Sequence, residues 1–192
     1  MQKLRILIAD DESLRLLSLR SQLRELGHEV VGEASNGADA VVLTRQLKPD
    51  LAILDIKMPE VDGIQAARAI TAESPVPLVF LTAFSDEALA QEAASVGSYA
   101  YLVKPVTQDE LVPAIAMAMA KFREFQELRR GIDELKENLE SRKLIERAKG
   151  ILMERRNIGE AEAFRRMQKR SQNENKKLIE IAKAIVTADS ML

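Results

Sequence analysis

The chain has 192 residues, 46% of them hydrophobic, which suits one full domain and a smaller one rather than a disordered segment. It holds no cysteine, which excludes disulfides and thiolate metal sites, and no apolar run approaches membrane-spanning length. The net charge of −2 conceals an asymmetry: residues 1–121 carry 11 Lys+Arg against 17 Asp+Glu, whereas residues 141–192 carry 13 against 7.

An acidic front and a basic tail point to a polyanionic partner for the tail, with a solvated helical surface as the plain alternative. The start, MQKLRILIADDE, enters an acidic loop too early for a signal peptide, so a cytoplasmic protein with no membrane partner is expected.

Residues 3–105 alternate strand-like and helix-like segments. Short apolar runs predict strands at Lys3–Ala9, Glu29–Ala34, Leu51–Asp55, Pro77–Thr82 and Tyr99–Val103. The first helix is predicted over Leu14–Leu26, with Leu14, Leu17, Leu19, Leu23 and Leu26 as apolar positions and Gly27 as the stop. The second, Gly37–Leu47, follows Asn36 as cap, with Asp39 at its third position. The third covers Ile64–Glu73, and the fourth, Asp86–Val96, follows Ser85 with two acids in its first turn. Five strands alternating with helices imply a doubly wound parallel sheet of the α/β class.

A fifth helix opens at Thr107-Gln108-Asp109-Glu110, a capping box, and runs without a loop signal to about Met153. Pro113 lies in its second turn and is expected to bend it. Phe125, Leu128, Ile132, Leu135 and Leu139 follow 3-4-3-4 spacing, a coiled-coil seam of barely three heptads with Arg142 as its next position. So short a seam predicts dimerisation that depends on a second signal; the alternative is a helix packed on its own domain.

The tail reads as a small three-helix all-α unit. Leu144, Ile145, Ala148, Ile151 and Leu152 share one face, and Asn157 closes that helix. Gly159 opens the next, with Glu162 in the capping-box position and Ala163, Phe164 and Met167 facing inward. Leu178, Ile181, Ala182, Ile185 and Val186 form the stripe of the last.

Asp10-Asp11, Asp55, Thr82 and Lys104 each stand at the carboxyl end of a predicted strand, where open α/β sheets bind ligands. Crowded carboxylates repel unless a cation is held among them, and oxygen-only ligands favour a hard ion such as Mg²⁺. Asp55 would be the nucleophile toward phosphorus, with Lys104 neutralising phosphoryl oxygens and Thr82 donating a hydroxyl. A phosphatase-like hydrolase is the rival, but it would need a second general acid and a substrate cap, and neither is evident.

The segments ADDE, LAILDIKMPEVDG, VFLTAF and YAYLVKP resemble the two-component response-regulator receiver domain from residue 3 to about 120. That resemblance implies a flavodoxin-like five-stranded sheet and Asp55 as a phosphoacceptor charged by a sensor histidine kinase. It implies Mg²⁺ bound by Asp11, Asp55 and the backbone carbonyl of Lys57, with Asp10 acting through water, and Thr82 and Tyr101 as a switch pair. Such a protein accepts and slowly loses a phosphoryl group and is not a turnover enzyme.

The stretch RKLIERAKGILMERRNIGEAEAFRRMQ is similar to the ANTAR module of bacterial antitermination regulators, which binds paired RNA hairpins. Asn157 and Ser171-Gln172 depart from its usual residues. Arg147, Lys149, Gly150, Arg155, Arg166, Lys169 and Arg170 are the candidate RNA contacts, with Arg156 and Arg165 beside them. The expected organisation is a receiver at residues 3–119, a helical coiled-coil linker at 120–134 and an ANTAR domain at 135–190. The expected function is phosphorylation-controlled binding of RNA hairpins and antitermination, by a homodimer formed through the coiled coil. A DNA-binding or protein-docking output is the alternative.

Overall fold

Apolar runs too short for a helix become parallel strands, and the leucine- and alanine-rich segments between them become the covering helices. A computed structural model describes residues 3–83 and 100–189. Its elements are β1 (Arg5–Ala9), α1 (Ser13–Glu25), β2 (Glu29–Ala34), α2 (Gly37–Leu47), β3 (Leu51–Asp55), α3 (Gly63–Glu73), β4 (Leu78–Thr82), β5 (Ala100–Val103), α4 (Gln108–Arg156), α5 (Glu160–Glu174) and α6 (Leu178–Asp189). The helix expected at Asp86–Val96, its Ser85 start and Tyr99 lie outside the described residues. The strands form one sheet in the order β2-β1-β3-β4-β5, every pair parallel. This is the flavodoxin-like arrangement, and the strand order reverses between β1 and β3.

Alternation along the strands builds a core on each face of the sheet. Ile6, Ile8, Ile53, Val79 and Leu81 pack with Leu16, Leu19 and Leu23 of α1 and with Leu111, Ile115 and Ala118 of α4. Leu7, Ala9, Leu54, Leu78 and Phe80 pack with Ala40 of α2 and with Ile64, Ala67 and Ile70 of α3. All five residues of β3 and of β4 are buried, as strands covered on both sides require.

Helix α1 departs from the expected face. Leu16, Leu19 and Leu23 are buried, while Leu14 is 80% and Leu17 52% exposed. Leu16, Leu19, Leu23 and Leu26 follow 3-4-3 spacing and occupy one arc, which leaves Leu14 and Leu17 on the opposite side.

The caps position the loops. Asn36 Oδ1 accepts from Asp39 N at 2.9 Å, and Asp62 Oδ1 accepts from Gln65 N at 2.7 Å. At the start of α4 the Glu110 carboxylate accepts from Thr107 N at 2.9 Å and from Thr107 Oγ1 at 2.8 Å, so only the glutamate half of the capping box forms. Helix α4 continues through Pro113, which has no N–H to offer the Asp109 carbonyl.

The chain divides into two compact units, residues 1–126 and 127–192. In the second, Ala148, Met167, Ile181 and Ala182 form a small core, flanked by Leu144, Ile145, Leu152, Leu178, Ile185 and Val186. Phe164 and Ile151, expected inward, are half-buried and stand outside this core. Asn157 takes the left-handed conformation, φ 48°, that ends α4. Gly159 is the N-cap of α5 and has no side chain to accept from the helix; Glu162, expected to complete a capping box, pairs with Arg165 and Arg166 instead. Ser171 Oγ donates to the Lys176 carbonyl at 2.5 Å, fastening the turn into α6.

Candidate functional site

The strand order brings the ends of β1, β3, β4 and β5 to one edge, and with them Asp10, Asp55, Thr82 and Lys104. Asp10, Asp55 and Thr82 are buried, and Asp11 is exposed. Lys104 Nζ lies 2.7 Å from Asp55 Oδ2 and 2.8 Å from Asp10 Oδ2. Carboxylate oxygens of Asp10, Asp11 and Asp55 all lie within 4.8 Å of one another. That oxygen-only set, with three acids converging, has the chemistry to hold a small hard dication.

Backbone donors hold the two buried acids. Asp10 Oδ1 accepts from Glu12 N at 2.9 Å, and Asp55 Oδ1 accepts from Lys57 N at 3.4 Å. Burial raises the Asp55 carboxyl above the ordinary carboxylate range, and the Lys104 ammonium offsets this only in part. The chain after β3 turns back closely: Gly63 N donates to the Ile56 carbonyl at 2.9 Å. A Cβ at Gly63 would stand 2.0 Å from the Asp55 carbonyl oxygen, so only glycine fits.

These groups line a cleft of about 650 Å³ that continues past Arg15, Gln22, Leu81 and Val106. Arg15 was not foreseen. Its Nη1 reaches Asp10 at 3.3 Å and Asp55 Oδ2 at 3.5 Å, while its Nε donates to Glu12 Oε2 at 2.7 Å. The readable signal was a cation in the first turn of α1, directly after the acidic loop. Thr82 Oγ1 donates to the Ala83 carbonyl at 3.1 Å. Tyr101, on the neighbouring strand, is 60% exposed, with its ring outward.

In the second unit the basic residues separate into three groups. Arg147 and Lys169 are exposed and form no ion pair among the described residues. Arg155 pairs with Asp189 at 2.5 Å, Arg166 with Glu162 at 2.9 Å and Arg170 with Glu174 at 2.6 Å, all as exposed pairs. Lys149, expected to face RNA, is only 8% exposed. Its Nζ sits 2.6 Å from Glu160 and 2.9 Å from Glu146, and 6.0 Å from the centroid of the Phe164 ring. Its long stem buries while its charge is satisfied internally, which fastens α4 to α5 rather than presenting a cation to solvent. Gly150 lies beside it with open space where a side chain would stand.

The family described as "Response regulator receiver domain" matches residues 6–116, and that described as "ANTAR domain" matches residues 133–186. The chain belongs to the response regulators that carry an ANTAR domain. It is 43% identical over 182 residues, 95% of this chain and 89% of the relative, to the transcriptional regulatory protein PdtaR of Mycobacterium tuberculosis. The chemotaxis protein CheY of Thermotoga maritima is 36% identical over 112 residues, covering 58% of this chain and 93% of that one.

Among solved structures, the receiver domain of a modulated diguanylate cyclase from Desulfovibrio desulfuricans superposes with a TM-score of 0.60 at 36% identity, covering 64% of this chain and 99% of that one. The receiver domain of the response regulator NarL from M. tuberculosis gives 0.57 at 34%, covering 60% and 95%. This response regulator is thus a member of a regulator family rather than an enzyme family. No helix among its described residues is long and apolar enough to cross a membrane.

Proposed function

We propose that this response regulator is phosphorylated on Asp55 by a partner histidine kinase and that phosphorylation controls binding of RNA hairpins and antitermination by its helical tail. The observation that carries this reading is the meeting of Asp10, Asp11 and Asp55 with Lys104 at one sheet edge. Asp10, Asp11, Asp55 and the Lys57 carbonyl would hold Mg²⁺. When bound, that ion offsets the repulsion between a carboxylate nucleophile and phosphoryl oxygens. An Asp55 Oδ–phosphorus bond forms as the donor's phosphorus–nitrogen bond breaks, and the electron pair leaves with the imidazole nitrogen. Lys104, already in contact with Asp55, neutralises phosphoryl oxygens. The Thr82 hydroxyl exchanges the Ala83 carbonyl for a phosphoryl oxygen, and the outward Tyr101 ring turns into the space it leaves.

The receiver is assigned to residues 3–119, the linker to 120–134 and the RNA-binding domain to 135–190. Phe125, Leu128, Ile132, Leu135 and Leu139 form an exposed seam on α4 that suits a second copy of this chain. Two tails in one dimer would hold two hairpins with a gain in effective concentration. Arg165, Arg166, Lys169 and Arg170 make a basic ridge on the outer face of α5. Their exposed pairs with Glu162 and Glu174 cost little to exchange for phosphates.

Labelling with phosphoramidate tests the acceptor: wild type takes up phosphate and Asp55→Asn does not, whereas persisting label would refute Asp55. Gel shifts of a hairpin RNA against duplex DNA of the same sequence, with and without a phosphoryl analogue, test the output. Tighter hairpin binding in the loaded state supports the reading, and preference for the duplex would return the DNA alternative. Lys169→Ala should weaken hairpin binding and flatten its salt dependence by about one phosphate contact.

A further inference from the structure

The two cations in the acidic cleft are not equivalent. Lys104 is 15% exposed, and among the described residues its ammonium pairs with Asp10 and Asp55. Arg15 is 36% exposed and divides one guanidinium between two sets of partners. Nε and Nη2 engage the two oxygens of Glu12, an exposed carboxylate at the rim, and Nη1 turns inward to Asp10 and Asp55. The inward contacts, at 3.3 and 3.5 Å, are longer than the 2.7 Å bond that Nε makes to Glu12. They are therefore the weaker half of the arrangement and can be released while Glu12 keeps the side chain in place.

Asp55 Oδ2 already serves Lys104 and Arg15 together. A dication drawn to Asp10, Asp11 and Asp55 needs those same oxygens and is repelled by the guanidinium beside them. We propose that Arg15 is a built-in competitor of the divalent cation, weakening its binding to the aspartate cluster, and that Glu12 is the rim anchor that receives the guanidinium when metal enters. This rests on the reading of the cluster as a magnesium site. The consequence is that metal occupancy, and with it readiness to accept phosphate, is tuned by a residue that binds neither metal nor phosphate.

Calorimetric titration of the full chain with MgCl₂ tests it without reference to phosphorylation. Arg15→Gln should bind about fivefold more tightly than wild type, the gain from removing one partly exposed charge contact. Arg15→Lys, which keeps the charge but cannot grip Glu12 through two nitrogens, should fall between them. Arg20→Gln removes an equal charge about one and a half turns further along α1, where it pairs with Glu33, and should stay within about twofold of wild type. Glu12→Gln should weaken binding in wild type and do so less in an Arg15→Gln background.

If wild type binds magnesium and Asp11→Asn weakens it, but Arg15→Gln binds no more tightly than Arg20→Gln, the role given to Arg15 falls and the metal site stands. If wild type takes up no magnesium, both are overturned.

Discussion

At the scale of single residues, Asp55 shows how burial of a carboxylate makes stability depend on pH. Its folded-state carboxyl is raised by burial, so between the ordinary carboxylate range and that raised value the native state binds more protons than the unfolded chain. Stability from this group is therefore present at low pH and lost as pH climbs through that window. In metal-free buffer Asp55→Asn should raise the thermal midpoint by a few degrees at neutral pH, and the gain should vanish near pH ~4. A calorimetric scan at both pH values checks it; an unchanged midpoint at neutral pH would mean that Lys104 fully compensates the burial.

The acids and Lys104 were legible because each follows an apolar strand run and the switch point of the fold unites them. Arg15 and Lys149 were not. The sequence shows that a side chain is cationic but not which way its flexible stem lies. Beyond its place in the first turn, nothing in the sequence sets Arg15 apart from the other cations of α1, and Lys149, expected at the RNA face, is held inside by two glutamates and burial.

At the scale of elements, strand positions were readable to within two residues, and most directly for β3 and β4, which are buried on both faces and so read as unbroken apolar runs. The face of α1 was not: Leu14, Leu16, Leu17, Leu19 and Leu23 crowd one helix, so more than one stripe can be drawn. Only packing against β1 and α4 selects Leu16, Leu19 and Leu23. The turn at Asn157 was readable, since asparagine tolerates the left-handed region. Asn157→Gly should leave stability unchanged or slightly raised, and Asn157→Val should cost about 1–2 kcal/mol, measured by urea unfolding of the tail signal. Equal stability of the two variants would mean that this turn places no demand on backbone conformation.

At the scale of the whole molecule, the seam on α4 and the phosphoacceptor role proposed for Asp55 predict one behaviour together. Three heptads broken by Gly131 and ending at Arg142 should associate weakly, so sedimentation of the phosphoryl-loaded chain should show a dimer that Leu135→Asp lowers. Unchanged sedimentation of the variant would place the contact elsewhere. The asymmetry of charge was visible in the sequence, but its use was not, since many of the tail cations are already paired with acids of the same unit.

The enclosure of Lys149 also fixes its chemical reactivity. Acylating reagents attack only the neutral amine, and hydrogen bonds from Lys149 to Glu160 and Glu146 hold its ammonium above the ordinary lysine value in a nearly inaccessible spot. Brief treatment with an amine-reactive ester should therefore modify Lys169 and Lys183 and spare Lys149, as peptide mass spectrometry would record. One lysine of the tail thus serves as an internal standard: a transcript that shields Lys169 from the reagent leaves the Lys149 signal where it was, and unfolding of the tail raises it.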